Sequence, residues 1–119
     1  MYKNYVNLLK HILAECEYIN SVVTPDMTMQ DMINDETLKR AVVRSLEIVG
    51  EATKKIPVDI KIKWSDISWK NMAGMRDRLI HDYMGINYHI VWDVVKNIIP
   101  VIKEQIGAVL IEEDANDYN

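Results

Sequence analysis

The sequence predicts an all-α domain, a bundle of four main helices with one short helix added. Three observations carry that prediction. Apolar residues recur at spacings of three and four over long stretches near both ends and in the middle of the chain. Helix-breaking residues, Thr24-Pro25, Pro57 and the region of Gly85, separate those stretches. Only residues 58–64, VDIKIKW, alternate with the period of a strand, and a lone strand has no partner with which to pair.

Taken in order, Tyr5, Leu8, Leu9, Ile12, Leu13, Cys16, Ile19 and Val23 hold one face of a helix over residues 4–23. Thr28 and Asp31 have capping-box spacing, which predicts a short helix over 29–34 with Met29, Met32 and Ile33 turned inward. From Glu36 to Lys55 the inward face is Leu38, Ala41, Val42, Leu46, Val49, Thr53 and Ile56, and Pro57 stops it. The opposite edge carries Arg40, Arg44, Glu47, Glu51 and Lys55, a solvated charge ladder. Residues 58–64 read as an extended connector pinned by Val58, Ile60, Ile62 and Trp64. Ser68 caps a helix from Trp69 to about Asp82. Asn87 opens the last helix, Tyr88 to about Glu112, which Pro100 kinks by removing one backbone hydrogen bond. Residues 113–119 read as a frayed acidic tail of a single domain spanning 1–119.

Composition narrows the function classes. The 119 residues suit one domain, and no run of apolar residues is long enough to span a bilayer. The N-terminus lacks the pattern of a signal peptide, so the expected compartment is the cytoplasm and no membrane partner is expected. Cys16 is expected to be a buried small hydrophobe. His11 and His89 have no second ligand at metal spacing and no phosphate-cradling glycine loop exists, so neither a metal nor a cofactor is expected. A net charge of -4 argues against a general nucleic-acid coat. Lys54 to His81 nevertheless carries seven basic residues against three acidic ones, a local +4 that leaves -8 for the remainder. Such an island fits a local phosphate site, and equally a solvated face.

The segment MRDRLIHDY, residues 75–83, concentrates two arginines, a histidine and a tyrosine. If the helix from Trp69 runs unbroken, Arg76 falls in the middle of an arc formed by Trp69, Met72, Ala73, Ile80 and Tyr83. A guanidinium there must meet a carboxylate, reach a cleft, or face a second subunit. His81 would point about 140° away on a regular helix, so the two converge only if the helix ends near His81 or two chains meet.

Arg76, His81 and Tyr83 form R-x-x-x-x-H-x-Y, which resembles the signature of the HEPN superfamily and of its HepT-type toxins. RSLEIVGEA (44–52), WKNMAGMRDRLIHDYMGI (69–86) and VWDVVKNIIPVI (91–102) extend the resemblance over roughly Arg44 to Ile106. The resemblance implies a dimeric helical domain whose ribonuclease site lies in a cleft between protomers, with an arginine and a histidine from each. It implies an RNA substrate and, as partner, a nucleotidyltransferase (MNT-domain) antitoxin that adenylylates Tyr83. On that reading Arg76 and His81 are the catalytic residues, and Glu47, Glu51, Asp77 and Arg78 are candidates for lining the cleft. The chemistry is reasonable on its own terms. Metal-independent RNA cleavage needs a group that moves protons near neutrality, as histidine does, and a fixed donor for phosphoryl oxygens, as arginine offers. The structural alternatives are an ion pair of Arg76 with Glu47 or Glu51, a helix C-terminal cap by His81, and a half-buried, hydrogen-bonded Tyr83. The alternative function is a non-catalytic dimer of the same fold that binds a nucleotide or docks the transferase.

Overall fold

The computed structural model describes residues 4–79 and 85–117. All its regular elements are helices: α1 (Asn4–Val22), α2 (Met29–Asn34), α3 (Glu36–Lys54), α4 (Val58–Lys63), α5 (Trp69–Ala73), α6 (Met75–Leu79), α7 (Tyr88–Asp93), a π-helical turn (Val94–Ile98) and α8 (Ile99–Asp117). The chain folds as the expected all-α bundle, with α1 against α3 and α8, α3 against α5 and α6, and α6 against α7. Leu9, Ile12, Leu46, Val49, Met72, Val94, Ile102 and Ile106 meet at its centre. No helix among the described residues is long and apolar enough to cross a membrane.

Local chemistry explains the ends of the elements. Thr28 accepts from the Asp31 amide while Asp31 accepts from the Thr28 amide, a complete capping box on α2. Asp35 caps α3 through the Leu38 amide, and Asn87 caps α7 through the amides of His89 and Ile90. The π-helical turn lies just ahead of Pro100. Proline supplies no N–H to the carbonyl four residues back and its ring crowds that carbonyl, so a wider turn at this point relieves both problems.

Four expectations need correction. Residues 58–63 form a helix, α4, and are neither a strand nor an extended connector. Val58 and Ile62 are 69% and 70% exposed while Ile60 is buried, so their alternation never meets a two-sided core. Ser68 starts α5 without a side-chain cap, and Trp69 is held instead by its indole N–H donating to the Trp64 carbonyl at 3.0 Å. The expected single helix from Trp69 is two short ones that meet at Gly74. The acidic C-terminal segment is helical through Asp117, and Glu113 is among the most buried side chains.

Glu113 is charged and only 1% exposed, so it must be compensated. Tyr5 donates to its Oε1 at 2.7 Å, and the Trp64 indole donates to its Oε2 at 2.9 Å. Lys63 Nζ lies 2.6 Å from the same Oε2. These contacts join α1, α4 and α8 at one end of the bundle, across up to 108 residues of sequence. Burial pushes the Glu113 carboxyl upward, but the hydrogen bonds from Lys63, Tyr5 and Trp64 outweigh it and hold the group below the ordinary carboxylate range. The same bond, formed to Glu113, raises the Lys63 ammonium above its usual value.

A carboxylate whose folded pKa is depressed adds stability above its unfolded value, near 4.5, and loses it as pH falls through the folded one. A raised lysine adds stability below its unfolded value of 10.5 and loses it at higher pH. The cluster therefore contributes fully between those limits. Glu113→Ala is expected to cost about 2 kcal/mol, below the usual figure for a broken buried pair because Lys63 is half exposed, and to lower Tm by roughly 6–10 °C. Melting Glu113→Gln between pH 3 and 7 should show a flatter acid limb than the parent, and equal slopes would refute this account.

Candidate active site

Arg76 is positioned by a close contact between α3 and the α5–α6 junction. Gly50, buried in α3, lies where a Cβ would sit 3.3 Å from the Met72 carbonyl oxygen and 3.4 Å from the Met75 Cβ. A glycine in a helix interior sacrifices about 1 kcal/mol of propensity relative to alanine, so this close approach is what makes it useful. Beyond Gly74, α6 buries Met75 and Leu79, which continue the buried row of Trp69 and Met72.

The buried row thus runs through Trp69, Met72, Met75 and Leu79, with Arg76 beside it. Arg76 is not within an apolar arc: its side chain is 58% exposed, and its Nε lies 3.7 Å from Glu47 Oε2 on α3. This is one of the ion pairs the sequence allowed, and at that exposure and distance it contributes well under 1 kcal/mol. Its significance is positional. The pair places the guanidinium beside α3 and leaves it largely exposed, where a planar donor fork can reach phosphate oxygens.

The other named residues separate. Glu51 lies on the next turn of α3 and pairs with Arg44 at 3.5 Å, both exposed. Asp77 is exposed on α6. Arg78 Nη2 lies 4.0 Å from Asp93 Oδ2 on α7, where Asp93 also accepts from the Asn97 amide at 2.7 Å. Glu47 thus joins Arg76, whereas Arg78 belongs to the α7 side. His81 and Tyr83 lie outside the described residues. The chain on either side of them is tied together, because the Asn87 N–H donates to the Leu79 carbonyl at 3.0 Å. Gly85, at the re-entry, has φ +102°, a conformation that glycine adopts without a Cβ penalty.

Electrostatically the basic island is more divided than a residue count suggests. Lys63, Arg76 and Arg78 face acids outside the run, while Lys54, Lys55, Lys61 and Lys70 have no carboxylate partner among the described residues. Among the described residues no group of three or more His, Cys, Asp or Glu side chains gathers as metal ligands would. Cys16 is buried, and desolvation pushes its thiol up to about 12. Gly50, Asp93 and Asn97 were missed in the sequence. A glycine within a strong helical pattern was a readable signal for the first, and an i,i+4 Asp–Asn pair for the others.

A family model described as "Ribonuclease HepT-like" matches residues 5–109. The chain belongs to the HepT-like ribonuclease family. A protein of Caldanaerobacter subterraneus subsp. tengcongensis named "Putative RNase TTE0752" is 45% identical over 105 residues, covering 88% of this chain and 93% of the relative. "Putative RNase MJ1216" of Methanocaldococcus jannaschii is 43% identical over 105 residues, 87% of each chain. "Probable ribonuclease HepT" of Thermococcus cleftensis is 39% identical over 103 residues, 87% of this chain and 93% of the relative. No solved structure matches the chain. Membership agrees with the HEPN-type helical bundle described above.

The site geometry of this HepT-like chain depends on Gly50. Gly50→Ala gains helix propensity but must push back the Met72 carbonyl oxygen by a few tenths of an ångström, and a backbone carbonyl cannot rotate away. The net expectation is a loss of about 1 kcal/mol and a Tm lower by roughly 4 °C. A Gly50→Ala protein that melts at or above the parent temperature would show that the α3–α5/α6 contact is slack.

Proposed function

We propose that this protein is a metal-independent endoribonuclease and the toxin of a toxin–antitoxin pair, with Arg76 and His81 acting at a cleft between two protomers. The observation that carries this reading is the exposed Arg76 guanidinium, fixed on α6 and steadied by Glu47, five residues before His81 in a HepT-like chain. In the reaction a base removes the ribose 2'-hydroxyl proton, and the oxygen attacks the adjacent phosphorus. The P–O5' bond breaks and the leaving oxygen takes a proton, giving a 2',3'-cyclic phosphate and a 5'-hydroxyl. His81 serves as base or acid, and the second histidine of the dimer supplies the other proton transfer. Arg76, 58% exposed, binds the phosphoryl oxygens as negative charge accumulates.

Tyr83, two residues beyond His81, is the regulatory position in this reading. The partner nucleotidyltransferase transfers AMP from ATP to the tyrosine oxygen and releases pyrophosphate. The added phosphodiester places negative charge close in sequence to Arg76 and competes with RNA for the same donors. The acidic body, with its net charge of -4, favours a defined RNA over indiscriminate binding.

Cleavage of single-stranded RNA in EDTA tests the mechanism. His81→Ala is expected to reduce the rate at least 100-fold, and Arg76→Ala by 100-fold or more, with unchanged helical content in both. A 3'-hydroxyl product end or a requirement for Mg2+ would refute the mechanism. For the regulation, intact mass after co-expression with the partner should increase by whole AMP units that map to Tyr83. An unmodified Tyr83 beside an active transferase would remove that half of the reading. Expression that is harmless both for the parent and for His81→Ala would favour a binding module.

A further inference from the structure

We propose that the recess between α5, α6 and the π-turn–α8 segment is a subsite for one unstacked nucleobase of the RNA strand, across α6 from the phosphate site at Arg76. The proposal rests on the ribonuclease reading above. The recess encloses about 240 Å3. Its floor is apolar, formed by the buried Met72, Met75 and Ile102. Its polar groups include the carboxamides of Asn71, Asn97 and Gln105 and the guanidinium of Arg78.

This combination matches a base better than it matches other ligands. Each carboxamide carries both a donor and an acceptor, as does the edge of every nucleobase, while thioether and aliphatic surface suits the base's flat face. A purely apolar ligand would cover the Asn71 and Gln105 carboxamides without giving them partners, and a bare phosphate would leave the amide oxygens of all three side chains unused. The lining contains no Asp or Glu although the whole chain is acidic, which favours an anionic strand. Asp93, outside the lining and half exposed, accepts from the Asn97 amide at 2.7 Å and so orients that side chain, with Arg78 4.0 Å away.

Two further features fix the place. The π-helical turn contributes Asn97 and Ile98, and such turns recur where a side chain must be re-aimed for function. Arg78 is two residues from Arg76 on the same short helix, on the opposite side from Glu47. A helix with its side chains is about 10 Å across, so a strand passing around α6 joins the two sites over a few nucleotides.

The test uses the full chain titrated with adenosine 5'-monophosphate and with uridine 5'-monophosphate, reading side-chain amide resonances. At least one nucleotide should shift the amides of Asn71, Asn97 and Gln105, and those shifts should persist in Arg76→Ala. Val101, 51% exposed on the lining, accepts a larger side chain without disturbing the core. Val101→Trp should weaken the titration at least tenfold and raise KM for a short single-stranded RNA about tenfold while kcat changes little. Gln105→Ala gives a milder change in the same direction if the tryptophan variant misfolds. Absence of amide shifts with both nucleotides, or an unchanged KM for RNA in both variants, overturns the subsite. Nucleotide binding in a protein that cleaves no RNA defeats the ribonuclease reading instead, and RNA cleavage with an unaltered KM defeats the subsite alone.

Discussion

The contact between Gly50 and the α5–α6 junction is the constraint on which the site depends. With hydrogen in place of a methyl group, α3 approaches the Met72 carbonyl to a distance that a Cβ would find tight. That approach lets Met75 and Leu79 seal the core from α6, and the turn they define exposes Arg76 beside Glu47.

A second polar anchor holds the far end of the bundle. Glu113 converts what its neighbours suggest is a solvated acidic terminus into a packed helical turn, because three donors from two other segments surround one carboxylate. A buried charge is tolerated only when compensated so fully, and the reward is a definite arrangement of α1, α4 and α8. The amphipathic faces alone leave that arrangement open, since aliphatic surfaces slide over one another at small cost.

Helix existence was legible almost throughout. The inward faces of α1 and α3 were correct to the residue for Leu9, Ile12, Cys16, Val42, Leu46 and Val49, because their spacing is local and long. The caps at Thr28 and Asn87 were legible for the same reason, as each is decided within three residues. Reading failed around Gly74. Periodicity carried one helix through it where the structure has two, and centred the apolar arc on Arg76, whereas the buried row is Trp69, Met72, Met75 and Leu79 and Arg76 is exposed. It also failed at residues 58–63, where six residues are too few to separate the two periods and burial of Ile60 alone decides. Of the candidate site, the identity of Arg76 and the availability of Glu47 as its partner were legible, but the separation of Glu51 and Arg78 from them was not.

The sequence by itself determined the helical class, the main helical faces and the family-like grouping of Arg76, His81 and Tyr83, because these are matters of composition and short-range spacing. Only the tertiary structure decided that Arg76 is exposed and faces Glu47, that Asn97 and Arg78 border one recess, and that Glu113 is buried. Each of those outcomes depends on the distance between segments remote in the chain. That distance is set by how closely two backbones approach and by which donors surround a charge, quantities that no local pattern of residues encodes.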